Sequence, residues 1–133
     1  MTLKTPDLWL VFIGGGTGAL ARALLLAAWP SPLFPLPVLV INLVGALALG
    51  CLTGYLALRE AAPRVRAARL LLGTGLLGGF TTYSTLALGM VQLGQDGRWG
   101  WALLYGGASL VGGYLLAVVG LKLGRVWADR GAL

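Results

Sequence analysis

The sequence predicts an all-α integral membrane protein, a four-helix subunit whose third helix is broken. Three observations carry this. Hydrophobic residues make up 58% of the 133 residues, and mean hydropathy is +0.87. Charged residues amount to 11% and gather at the edges of apolar runs, including all four carboxylates, Asp7, Glu60, Asp96 and Asp129. A water-soluble domain needs far more charge on its surface. Four apolar runs reach the roughly 20 residues that a bilayer-crossing helix requires. They cover residues 8–29, 36–58, 70–93 and 99–121 of a single transmembrane domain, 1–133.

The first run has Lys4 before it and "LAA" at 26–28, the outline of a signal peptide. Its apolar region is long for that role and three more runs follow, so it reads as a retained helix. Pro30, Pro32, Pro35 and Pro37 crowd the gap behind it and stop the helix there. "REAAPRVRAAR" (59–69) and "GQDGRWG" (94–100) are the other gaps. Both are short, so successive helices run antiparallel.

Lys and Arg divide unequally between the two ends. Lys4, Arg59, Arg64, Arg66, Arg69, Lys122, Arg125 and Arg130 share one side; Arg98 and Arg22 belong to the other. The positive-inside rule then predicts both termini in the cytoplasm. The net charge of +6 reads as this topology signal, with no nucleic-acid partner. The basic second loop also suits anionic membrane lipid.

Small residues recur at helical spacing. Ala46, Gly50 and Gly54 mark one face of the second run, and Gly14 and Gly18 one face of the first. Such faces let helix backbones approach closely in lipid. "GGGTGALAR" (14–22) contains a G-x-G-x-x-A pattern, but no strand precedes it and no ribose-binding acid follows, so a dinucleotide loop is discarded.

Chemistry is restricted by what the chain lacks. It has no His and one Cys, Cys51, which excludes an internal disulfide and a Cys/His metal site. No run holds a carboxylate in its middle, which argues against a proton-coupled carrier such as a small multidrug-type exporter. A nucleophile with a base is also missing, so the chain is not read as an enzyme.

The polar residues inside the runs are therefore the candidates. Asn42 in the second run needs partners or water. Tyr105 and Ser109 lie four apart on one face of the fourth. Arg22 can reach an interface along its aliphatic stem. The third run concentrates Thr74, Gly75, Gly78, Gly79, Thr81, Thr82, Ser84 and Thr85. Paired glycines beside paired threonines point to interrupted helix, which survives in a membrane only when buried in protein or lining a wet cavity. Freed carbonyls in such a break suit a cation. Alternatively, these groups only bond helices together, as in a noncatalytic assembly subunit.

"GLLGGFTTYSTL" (75–86) resembles the third-helix signature of the CrcB/Fluc fluoride channels, G-x-x-G-G-x-T-T-F-S-T-F. "GGGTGALAR", "NLVGALALG" (42–50), Tyr105 and Ser109 resemble the family's other helices, so the likeness runs along essentially the whole chain. The resemblance implies an antiparallel dual-topology dimer in a bacterial or archaeal plasma membrane, with two passive fluoride pores that relieve fluoride toxicity. It implies a structural sodium ion held by the carbonyls of Gly78 and Thr81, with no organic cofactor. It places Asn42, Tyr83, Ser84, Thr85, Leu86, Tyr105 and Ser109 along the pore, and Arg22, Gly75 and Gly79 in structural roles.

Three positions depart from the family pattern. Tyr83 and Leu86 stand where its paired phenylalanines do, and Gly89 stands at a glutamate position. With the lopsided charge, these suggest a partner-dependent half of a heterodimer, paired with a related chain of opposite orientation. The alternative is an ordinary homodimer.

Overall fold

The structure, a computed structural model, describes residues 5–31, 33–57, 59 and 62–130. Lys4, Pro32 and Glu60 of the sequence reading lie outside them. The elements are α1 (Thr5–Ala28), α2 (Leu36–Ala57), α3 (Pro63–Ala68), a π-helical segment (Arg69–Leu77), α4 (Gly78–Phe80), α5 (Ser84–Gln95) and α6 (Trp99–Arg130). Among the described residues all regular structure is helical. Three helices, α1, α2 and α6, are individually long and apolar enough to cross a membrane. The chain is a multi-pass membrane protein by these spans.

The expected third span, 70–93, is divided. The π segment widens the helix, so that the Gly78 N–H reaches back to the Gly73 carbonyl. At Thr81 the backbone turns extended, with φ −78° and ψ 157°. Helix resumes at Ser84. The fourth span differs in length: α6 runs on to Arg130, which puts Lys122 and Arg125 on helix rather than in a tail.

Helix ends follow from local chemistry. Pro37 sits in the first turn of α2, where its missing N–H costs nothing. After α5, Gly97 takes φ +73°. The Gly97 N–H then bonds to the Gly94 carbonyl at 3.0 Å and the Arg98 N–H to the Leu93 carbonyl at 2.8 Å. This is a Schellman ending, which needs the left-handed residue that glycine supplies.

Two glycine-lined pairs build the fold. α1 lies along the π segment and α4; α2 lies along α6. A Cβ on Gly18 would collide with the Leu76 carbonyl oxygen and stand 2.9 Å from the Phe80 nitrogen. On Gly54 it would meet the Leu121 carbonyl, and on Gly124 the Cys51 carbonyl. The contacts are main chain against main chain. Residue numbers rise together along each pair, so its members run parallel, as alternating antiparallel neighbours require. The sequence-marked faces Gly14/Gly18 and Gly50/Gly54 are both used in this way.

An ion pair joins Arg66 of α3 to Asp7 of α1, holding the start of the third helix beside the start of the first. The carboxylate's hydrogen bond raises the Arg66 pKa further above its ordinary value. Arg59 stacks its guanidinium 3.9 Å from the Tyr55 ring centre. Elsewhere Val38, Leu86, Leu93, Ala102 and Tyr105 form a buried cluster. Much of the remaining apolar surface is exposed, Phe12 and Leu103 among it. Such surface is untenable in water and ordinary in lipid or under a partner subunit.

Candidate functional site around the interrupted helix

The interruption at residues 81–83 is held from two sides. From α2, the Asn42 side-chain amide pairs with the Thr82 peptide. Asn42 Nδ2 donates to the Thr82 carbonyl at 2.9 Å, and the Thr82 N–H donates to Asn42 Oδ1 at 2.8 Å. From α1, Arg22 Nη1 donates to the Thr81 carbonyl at 3.0 Å. Arg22 thus turns inward to the interruption instead of reaching outward to an interface.

These bonds redistribute the helix's own hydrogen bonds. In a continuous helix the Thr82 N–H would serve the Gly78 carbonyl, and the Thr85 N–H the Thr81 carbonyl. Here the first goes to Asn42 and the second to Thr82 Oγ1, at 3.2 Å. The carbonyls of Gly78 and Thr81 lose their helical donors together. Neutral oxygens freed in this way fit a monovalent cation. The Arg22 guanidinium already uses one of them.

Thr82 is the centre of the polar cluster. Its hydroxyl is 3.0 Å from Thr85 Oγ1 and 3.2 Å from Ser84 Oγ, and it closes the first turn of α5 by accepting from the Thr85 N–H. The sequence reading counted Thr82 among the polar residues of the third run but assigned it no site role. The signal was present: a Thr three residues before a Thr at a helix start is the spacing of a side-chain cap. Thr81 spends its own hydroxyl on the Leu77 carbonyl at 2.9 Å.

The remaining residues of the sequence reading fall elsewhere. Tyr83 is 78% exposed and faces outward. Leu86 is buried in the cluster with Tyr105. With Ala87, Met90, Leu103 and Gly106, these two line a groove of about 410 Å³. On another face of the interruption, a groove of about 570 Å³ is bordered by Leu52, Thr53, Arg69, Gly73, Thr74 and Gly78. A Cβ on Gly78 would find only the Gly73 carbonyl, at 3.9 Å. Gly75 and Gly79 contact α1 backbone and have no such room.

Tyr105 is fully buried, and its hydroxyl has no hydrogen-bond partner. Its ring meets Phe34 edge-on at 5.5 Å. A Cβ on Gly89 would stand 3.2 Å from Tyr105 Cε1 and 3.0 Å from Pro35 Cγ. Ser109 donates to the Tyr105 carbonyl, four residues back on its own helix, at 2.8 Å. Neither Tyr105 nor Ser109 is hydrogen-bonded to the interruption. Phe34 was not singled out in the sequence, since it sits in the proline-rich gap and no periodicity marks it.

Among the described residues no cluster of His, Cys, Asp or Glu could hold a metal ion. The arrangement offers neutral hydroxyls, an amide, freed carbonyls and one guanidinium in an apolar surround. That inventory suits holding and passing small ions.

Comparison with known proteins agrees with this inventory. Residues 9–121 match the family described as CrcB-like protein, Camphor Resistance (CrcB). A protein of Cutibacterium acnes named fluoride-specific ion channel FluC 1 is 46% identical over 115 residues, covering 83% of this chain and 79% of its own. A FluC 1 of Geobacillus kaustophilus is 44% identical over 117 residues, covering 86% and 95%. A FluC 2 of Leifsonia xyli is 44% identical over 130 residues, covering 96% and 90%. These relatives are named as ion channels rather than enzymes. With its match to the family covering residues 9–121, the chain belongs to the CrcB family.

Proposed function

We propose that this chain is a subunit of a fluoride channel that lets cytoplasmic fluoride leave passively. The observation that carries the reading is the polar cluster of Asn42, Thr82, Ser84 and Thr85 at an interrupted helix, in a chain that is otherwise apolar. Fluoride is small and strongly hydrated, so a pore must replace its water with donors. Hydroxyls, an amide and ring edges do this, and neutral donors also let the ion leave. The buried Tyr105 hydroxyl, without a partner in the subunit, is a further donor of this kind.

In this reading two subunits pack antiparallel, and the interrupted third helix lies at mid-membrane between them. The grooves beside Gly78 and beside Tyr83 are the faces they present to one another and to the pores. Gly78 and Thr81 contribute carbonyls to a structural sodium ion, and Arg22, Gly75 and Gly79 hold the interruption against α1. The bound sodium supplies positive charge that favours an anion nearby. Both termini of this chain face the cytoplasm, given the basic residues at that end.

The second reading, a partner-dependent half of a heterodimer, rests on Tyr83, Leu86 and Gly89 and on the uneven charge. Leu86 offers no ring edge, and the subunit buries it. A related chain would then supply the aromatic pair and the opposite orientation.

The test is fluoride efflux from liposomes containing this chain alone, followed with a fluoride electrode. Efflux exceeding that of empty vesicles, with chloride retained, is the expected result. Efflux only after a related chain is added would favour the second reading. No flux with any partner would sink both.

A further inference from the structure

The end of the molecule that carries the α1–α2 and α5–α6 turns holds a small polar pocket. Its volume is about 70 Å³, and Ser31, Phe34, Pro35, Gly89, Gln92 and Asp96 line it. That is room for a few waters, with a hydroxyl, an amide and a carboxylate to bind them. Trp99 and Trp101, both exposed, stand at the same end, and tryptophan marks the membrane–water interface. The proline-rich turn is tied down over the pocket. The Ser31 hydroxyl donates to the Phe34 carbonyl at 2.6 Å, and Arg98 Nη1 donates to the Leu33 carbonyl.

Polar groups at a helix end beside water are ordinary. This set continues inward. Thr85, Gly89, Gln92 and Asp96 follow one another at spacings of four, three and four, which is one face of α5 running on into its cap. The stripe begins in the hydroxyl cluster, where Thr85 Oγ1 is 3.0 Å from Thr82 Oγ1, and ends in the pocket. Midway, Gly89 brings the α5 backbone against Tyr105. A Cβ on Gly89 would stand 3.2 Å from Tyr105 Cε1, the ring carbon next to the one that bears the hydroxyl. The hydroxyl end of that ring therefore lies against a glycine that also lines the pocket. An unpaired buried hydroxyl is costly. A passing ion or water supplies the partner that the subunit withholds.

We infer that this face of α5 is the far stretch of the ion path, and that the pocket of Ser31, Gln92 and Asp96 is its mouth, a site where fluoride passing Tyr105 regains its water. Asp96 alone would repel an anion there. Arg98, two residues on, brings the opposite charge to the same rim, and among the described residues the two are not joined as an ion pair. Their charges offset one another, so the mouth neither traps the ion nor turns it away, as conduction requires.

The inference rests on the proposed fluoride channel, so wild-type flux is measured first. No fluoride conductance in wild type, with or without a related chain, would defeat that reading before the mouth is examined. Given conductance, Gln92→Cys is treated with two water-soluble methanethiosulfonates, one bearing a sulfonate and one a trimethylammonium group. Wild type, with Cys51 in α2, sets the background, and Gly100→Cys is the control. Gly100 is exposed at the same end and a Cβ there meets nothing within 4 Å. Mass spectrometry should show Gln92→Cys labelled by both reagents. A fixed charge at a pore mouth acts on the local ion concentration, so the sulfonate should cut fluoride efflux at least about threefold more than the trimethylammonium does. Labelled Gly100→Cys should conduct as before labelling. A packing role for Gln92 would not distinguish the sign of the reagent. An unlabelled Gln92→Cys, or one whose efflux responds equally to both reagents or to neither, would overturn the inference. Should Gln92→Cys fail to assemble, Asp96→Cys takes its place under the same two outcomes.

Discussion

Asn42 and Thr82, forty residues apart, are paired through both hydrogen-bonding groups of the asparagine amide. The pair does what a base pair does, reading a donor and an acceptor at once. It also explains why helix does not continue through Thr82, whose N–H is no longer available to Gly78.

Asn42→Asp keeps the acceptor and replaces the donor by a second oxygen facing the Thr82 carbonyl. Loss of one hydrogen bond and an unpaired carbonyl should cost about 2–4 kcal/mol. Thermal unfolding in detergent should fall by several degrees, and fluoride efflux by at least tenfold. Unchanged efflux and melting would show that the pairing is dispensable.

Tyr105→Phe should act in opposite directions on stability and flux. The buried hydroxyl has no partner, so removing it relieves about 1–3 kcal/mol of desolvation. The same change removes a donor from the proposed path. The variant should therefore melt higher than wild type and conduct several-fold less. A variant that melts lower would reveal a partner for the hydroxyl in the assembled protein.

Glycine substitutions should separate by what surrounds them. Gly18→Val drives a side chain into the Leu76 carbonyl and should cost about 3 kcal/mol or prevent folding. Gly16→Ala meets nothing within 4 Å and should be neutral or stabilising by up to about 1 kcal/mol. Equal yields and melting temperatures for the two would contradict the backbone-to-backbone packing of α1.

Gly78→Val isolates the space outside the subunit. Within the subunit a Cβ there meets only the Gly73 carbonyl, at 3.9 Å. Helix content by circular dichroism should stay at the wild-type level, while dimer on cross-linking and sodium-dependent flux should fall. Loss of helix content would place the fault in the subunit; intact flux would remove Gly78 from the sodium site.

The span pattern was legible in the sequence because hydropathy is a property of each stretch alone. So were the small-residue faces, since glycines four apart can only lie on one side. Which faces mate was not legible. Glycine has no side chain to name its partner, and the Gly18 contact with Leu76 or the Gly124 contact with Cys51 depends on the whole arrangement. The candidate site divides in the same way. Asn42, Thr82, Ser84 and Thr85 all stood out as polar groups in oil, but the central place of Thr82 did not, because it arises from its position between the others. The π segment had no visible signal: "RLLLGTGLL" would serve equally as α-helix. Leu86 read as pore lining from its place in the motif, and within the subunit it faces the Tyr105 cluster.

The length of α6 has a consequence for the lipid around it. Thirty-two residues make a rod of about 48 Å. Trp99 and Trp127, both exposed, stand 28 residues apart, about 42 Å along it. That separation is the full thickness of a bilayer with its headgroups, and tryptophan settles at those depths. A thinner bilayer must then tilt the rod. α6 is locked to α2 by backbone contact at Gly50, Gly54, Gly120 and Gly124, so α2 tilts with it, carrying Asn42. Acyl-chain length thereby becomes a mechanical input to the amide that holds Thr82, and vesicles of short-chain lipid should loosen that grip.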